Sequence, residues 1–395
     1  MAIQKKKCSK SDLKFPWPIS LITISSLIAS IGICLAIWID KNNHLLPTAN
    51  SSEGRALLSL YLGFAHDLFL VLTLAWTCKL TLIARRHYKK NKRKYQSTRP
   101  FLKNLIEFGS KNPLTSIILA CYAIAIIYGS SYLYYDMIGW YPDLINGNLL
   151  DNFSIRYSFV NETMRRSDFR FFPLAHQDLH ILSWFTVQIK TWLLFCSFQL
   201  FLIVFFCTKI VENLSIKGKV NHSSLAIFIA TLLLFHPSTV FTFFHVIYSE
   251  RKVGALFAAY LYCDIRHAKE NKHATFYTAI ILASIGSLTK DIAIILFVMP
   301  SIVNLALEAK NMSDFGQNHL KGLFSKLLKS NKLDLYILLL IPVFIASYVV
   351  LSLIPGVYAS EGLYNEGNQL NLNLDIRITA LGLLTITRVW MAIKK

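Results

Sequence analysis

The sequence predicts an all-α polytopic transmembrane helix bundle of about ten spans, with one larger extracytoplasmic loop at the membrane interface. Three observations predict it. Hydrophobic residues make up 54% of the 395 and charged residues only 16%, with a mean hydropathy of +0.44, which is too little charge to coat a soluble globule of this size. The apolar residues fall in runs near the roughly 20 residues needed to cross a hydrocarbon core. The net charge of +19 sorts by loop, as the positive-inside rule requires. On a soluble chain that charge would point to nucleic acid; the sorting removes that partner.

The runs lie at 16–39, 57–83, 113–137, 181–208, 223–246, 251–265, 274–289, 291–309, 334–354 and 377–393. The first follows the basic stretch MAIQKKKCSKSDLK. It exceeds the roughly 7–15 residues of a cleaved signal core and lacks a small-residue cleavage site, so it reads as an uncleaved anchor. The runs 251–265 and 274–289 are short, and 377–393 carries Arg377 and Arg388. Between the second and third runs, 85–103 holds Arg85, Arg86, Lys89, Lys90, Lys92, Arg93, Lys94, Arg99 and Lys103 and no acid. That places this loop and the N-terminus in the cytoplasm, facing the headgroups of membrane lipids.

Alternation then puts the Lys/Arg-rich connections 209–222, 266–273 and 310–333 inside. It puts 40–56, 138–180, 247–252 and 355–376 outside: 138–180 sets Asp143, Asp151, Glu162, Asp168 and Asp178 against Arg156, Arg165, Arg166 and Arg170 and is nearly neutral, and 355–376 has Glu361, Glu366 and Asp375 and no basic residue. Three regions follow. Residues 1–110 are a two-span segment with the basic cytoplasmic loop, 111–309 a membrane core with the outer loop 138–180, and 310–395 the C-terminal spans. The chain stops at MAIKK directly after its last run, which reads as a truncated end.

Other classes drop out. Cys34, Cys78, Cys121, Cys196, Cys207 and Cys263 lie in apolar runs and Cys8 in the basic tail, so no disulfide framework or CxxC metal pattern exists. No phosphate-binding glycine motif is present. Asn-x-Ser/Thr sequons fall on both sides and carry no information on compartment.

Chemistry is therefore sought on the outer side. The loop 138–180 is crowded with aromatic residues, among them Trp140, Tyr141, Phe153, Phe159, Phe171 and Phe172, which favour the interface. Ile155, Phe159, Val160 and Met164 follow a helical spacing and suggest a short interfacial helix. Asp136 ends the third run, where a carboxylate either marks the water boundary or serves as a base. Glu250, followed by Arg251 and Lys252, sits at the tip between two apolar runs, and Lys290-Asp291 interrupts another. These cations lie outside, against the positive-inside bias; they either keep a tip in water or bind an anionic phosphate. His176, His180, His236 and His245 fall near the same face, but a zinc reading of them is set aside. No cofactor is expected; a divalent metal stays open, although no DxD pair in the outer loops supports one.

The order of these features resembles the polytopic C-type glycosyltransferases that use polyprenyl- or dolichyl-phosphate sugars, most nearly the PIG-V-like mannosyltransferases and their bacterial relatives. Tyr135-Asp136, then Gly147, then Phe171-Phe172-Pro173-Leu174 resembles one family pattern. His236-Pro237-Ser238-Thr239-Val240-Phe241 through Tyr248-Ser249-Glu250 resembles NPxSIFxxxxYSE, with His in place of Asn, and Thr289-Lys290 through Pro300 resembles a third. The resemblance covers roughly 130–300. It implies Asp136 as the acceptor base, Glu250 in support of the site, and Arg251 or Lys290 on the donor phosphate. Asp168, Arg170 and His176, flanking the FFPL run, join them as candidate substrate-binding residues.

The resulting expectation is an integral membrane glycosyltransferase. It would move a hexose such as mannose from a polyprenyl-phosphate donor to a glycan or lipid acceptor on the extracytoplasmic face, with short inside loops favouring a bacterial plasma membrane over the endoplasmic reticulum, which stays open. Two alternatives stay open. A flippase or transporter of lipid-linked saccharides needs charges near span centres or broken helices, for which Pro237 and Pro300 leave room. An oligosaccharide polymerase or ligase would use paired arginines such as Arg165-Arg166.

Overall fold

The computed structural model describes residues 19–91, 101–130, 169, 171–215, 221–270, 272–314 and 331–359. Every regular element among them is helical. In chain order these are α1 (Ile19–Lys41), α2 (Ser52–Asn91), α3 (Phe101–Lys111), α4 (Pro113–Gly129), α5 (Gln177–Ser183), α6 (Ile189–Leu214) and α7 (His222–Leu234). There follow α8 (Pro237–Phe244), α9 (Glu250–Glu270), α10 (His273–Ser287), α11 (Ala293–Asp314), α12 (Lys332–Leu338), α13 (Leu340–Tyr348) and α14 (Ile354–Ala359). Asp136, Asp168, Arg170, the expected interfacial helix near 155–166 and the run 377–393 lie outside the described residues.

Among the described residues, five stretches are long and apolar enough to cross a membrane: Ser20–Lys41, Ser52–Leu82, Ile189–Leu214, Ala293–Lys310 and Lys332–Ala359. Counting each of two bent pairs as one span gives seven. Large apolar side chains such as Leu60, Leu74, Phe228, Leu232 and Ile295 face outward on these helices, which suits lipid and not water. The short runs 251–265 and 274–289 form α9 and α10. The first carries too much charge and the second, at 15 residues, too little length to count as spans by the same standard.

Their position explains the composition. Helix α9 packs on α6 along one side and on α10 along another. It gives Ala258 and Ala259 to one core cluster and Tyr260 and Cys263 to a second. A helix enclosed by other helices needs small residues for close approach more than overall hydrophobicity. Gly254, Ala255, Ala258 and Ala259 supply them.

Two bends shape the bundle, each at a proline that begins a new helix, because its ring disfavours helical geometry in the residue before it. Helix α3 meets α4 at 100° across Asn112-Pro113. It is a helix where the sequence suggested a loop and the approach to a span. It buries Leu105 and Phe108, the latter edge-on against Phe201 and Phe205, and exposes Leu102 and Ile106. Helix α7 meets α8 at 74° across His236-Pro237. Pro300, by contrast, sits inside α11 without breaking it.

Between α13 and α14 the chain widens to a π-helical turn at Val349–Leu353. Such a turn disturbs the regular backbone ladder, and Tyr61 donates its hydroxyl to the Val350 carbonyl at 2.7 Å. Ser352 in the same turn donates to the carbonyl of Phe169. Phe169 has φ of 44°, a left-handed conformation costing roughly 1–2 kcal/mol for a side-chain-bearing residue; its ring is 98% buried, being 2% exposed.

Candidate functional site

The stretch 171–183 brings one end of the bundle together. Phe171 packs edge-on against Phe344 and Tyr348, with ring centroids 5.0 and 5.8 Å away. Leu174 donates its backbone N–H to the Leu288 carbonyl at 3.0 Å, tying the FFPL run to the turn between α10 and α11. Proline at 173 helps keep this stretch out of a helix, and its neighbouring carbonyls remain free to accept from side chains.

Lys252, in the first turn of α9, uses those carbonyls. Its Nζ donates to Leu174 O, to Ala175 O at 2.8 Å and to Asp178 Oδ1 at 2.9 Å. Three acceptors match the three protons of an ammonium. Arg251 donates from one guanidinium nitrogen to Asp178 Oδ2 at 3.2 Å and from the other to the Tyr248 carbonyl. Asp178 therefore offers one oxygen to each of two adjacent cations, while Gln199 of α6 donates to Oδ2 at 3.5 Å. Its place in the first turn of α5 adds the attraction of unbonded helical N–H groups for a negative charge.

The cluster is deeply set. Arg251 is 1% exposed, and only Trp192 is larger among the fully buried side chains described. Burial alone would push the Asp178 carboxyl up, but Lys252 and then Arg251 pull it down, to about 2. Asp178 is therefore ionised across any working pH, and so weak a base cannot assist proton removal. It is a clamp between α5 and α9.

Glu250 and Lys290 form a second, shallower pair, with side chains 43% and 22% exposed. Burial raises the Glu250 carboxyl and the Lys290 hydrogen bond lowers it, with a net result below the usual carboxylate range. This pair joins the start of α9 to the α10–α11 turn. His176 donates from Nε2 to the Ile247 carbonyl at 2.7 Å, so the chain before α9 is held by α5's cap residue as well.

Three segments that the sequence separates by some 60 and 40 residues, 171–180, 236–252 and 288–291, thus converge at one end. Of the sequence-derived site residues, Glu250, Arg251, Lys290 and His176 meet there. Arg251 and His176 are buried and positioned to hold the fold, whereas Glu250 and Lys290 reach the surface. Asp178 is the principal member that sequence reasoning did not select, and Lys252 entered it only as one of the outer cations beside Arg251. One signal was available: Arg251 and Lys252 follow a single acid, Glu250, at the start of α9, so two adjacent cations call for a further carboxylate from another element.

His236, the departure from the Asn of the family pattern, has a clear local function. Its Nδ1 accepts from the Ser238 backbone N–H at 3.2 Å, capping α8 as an Asn side chain does. Among the described residues no group of three or more His, Cys, Asp or Glu is placed to hold a metal ion. No protein-family model, curated protein or solved structure matches the chain.

Proposed function

We propose that the chain is an integral membrane glycosyltransferase that moves a hexose from a polyprenyl-phosphate donor to a glycan or lipid acceptor on the extracytoplasmic face. The observation that carries this reading is the convergence of the FFPL, HPSTVF…YSE and TK segments on one cluster of charged side chains. These are the segments through which the sequence resembles the C-type family.

The chemistry fits such a site. A lipid-phosphate donor already carries an activated anomeric carbon, so the protein need only hold the phosphate, seat a hydroxyl beside a base and exclude water. Lys290 is the cation best exposed to a phosphate, and Glu250 orients it until the donor displaces the pairing. Arg251 and Lys252, engaged by Asp178, hold the frame behind it. Asp136 is the base, since Asp178 and Glu250 are both ionised partners of cations. One displacement by this route inverts the anomeric centre.

Membranes carrying the chain should transfer label from a polyprenyl-phosphate hexose, and Asp136→Asn should reduce transfer by roughly 10²-fold or more at unchanged protein level. Full activity in that variant overturns the assignment of the base. Label moving only from a diphosphate-linked oligosaccharide replaces the reading with a polymerase or ligase.

A further inference from the structure

A groove of 590 Å³ runs between α4 and α6, inside the roughly 300–1,000 Å³ range of small-molecule sites. One wall is Ser116, Ala120 and Ala123 on α4; the other is Leu194, Phe198 and Phe201 on α6. The α4 residues recur at helical spacing and share a face, and their small side chains leave the space. The floor is closed where Ser116 donates to the Gly109 carbonyl at 3.0 Å and Phe201 meets Phe108 at 6.0 Å. Leu194 and Phe198 are exposed at the rim, so the groove opens sideways, toward lipid.

The lining holds no charged residue, yet Lys190 lies directly before the lining Thr191, at the end where the charged cluster also sits. Its Nζ stands over the Tyr128 ring, 5.6 Å from the centroid, bringing the two helices together at that mouth. A single exposed ammonium matches the one negative charge of a phosphodiester. A phosphomonoester, carrying close to two charges at neutral pH, calls for more cations than the described mouth provides.

We propose that this groove binds one acyl chain of an anionic phospholipid, with Lys190 on the phosphodiester headgroup. The site is separate from the proposed sugar-transfer site and stands whether or not that reading does. The test is native mass spectrometry of the full chain in detergent, with added phosphatidylglycerol or phosphatidylcholine of identical acyl chains. Wild type should retain phosphatidylglycerol about fivefold more than phosphatidylcholine. Lys190→Gln, a change at an exposed position, should erase that preference, and Ala120→Leu with Ala123→Leu, checked for monodisperse elution, should lower retention of both lipids. Equal retention of the two lipids by wild type makes the groove ordinary lipid-facing surface and overturns the proposal. An undiminished preference in Lys190→Gln, or displacement of phosphatidylglycerol by equimolar polyprenyl monophosphate, overturns it as well.

Discussion

Arg251 is the residue on which the described site depends most. A guanidinium at 1% exposure is tolerable only with a charged partner, and removing that partner leaves an uncompensated buried charge, a loss of about 3–5 kcal/mol. Asp178→Ala should therefore lower the unfolding free energy by about that amount in detergent, read as a shift in denaturant midpoint. Asp178→Leu combined with Arg251→Met and Lys252→Met should recover most of it, because both cations leave with the carboxylate they share; a single-variant loss within error of zero would show that the clamp is idle. The pH dependence has a definite sign. The folded carboxyl, near 2, lies below its ordinary 3.8, so its contribution is complete above about pH 4 and fades as pH falls from there toward 2.

At the scale of elements, the bends at Pro113 and Pro237 decide where side chains arrive. The α7–α8 break of 74° turns the chain so that Ile247 and Tyr248 reach α5 and the start of α9. His236 stabilises that break by capping α8, and the same cap is available to Asn. His236→Asn should keep thermal stability within measurement error, while His236→Ala should cost about 1 kcal/mol; an equal loss in both variants would deny the cap its role. Helix α3 was hidden in the sequence because its 11 residues are too short for a span and stand next to a basic stretch. Only the aromatic side chains of α6 give Phe108 a place to go.

At the scale of the whole molecule, one end collects α5, the start of α9 and the α10–α11 turn, and the other collects Lys111, Lys209, Lys269, Lys272 and Lys332. From the charge pattern of the sequence, the second end is expected to face the cytoplasm. In a background without the seven native cysteines, Phe185→Cys, at a position 78% exposed on the first end, should react with a membrane-impermeant maleimide in intact cells. Lys272→Cys should react only after permeabilisation. The reverse pattern would invert the orientation and move the proposed chemistry to the cytoplasmic face.

Composition and run length were enough to establish a helical chain with several apolar spans, because the bilayer imposes length and hydrophobicity on each segment separately. Motif order drew Glu250, Arg251, Lys290 and His176 together as candidates, since local residue pattern is visible one segment at a time, and the fold brings these four to one end. The pairing of Asp178 with Arg251 and Lys252 was not visible. Those residues are some 70 positions apart, and nothing in the charge of 138–180 distinguishes Asp178 from Asp143 or Asp151. Nor did any local pattern reveal the groove between α4 and α6, which exists only where two apolar faces of unequal bulk come together. Both features arise from which helices become neighbours, and that is a property of packing across the whole chain.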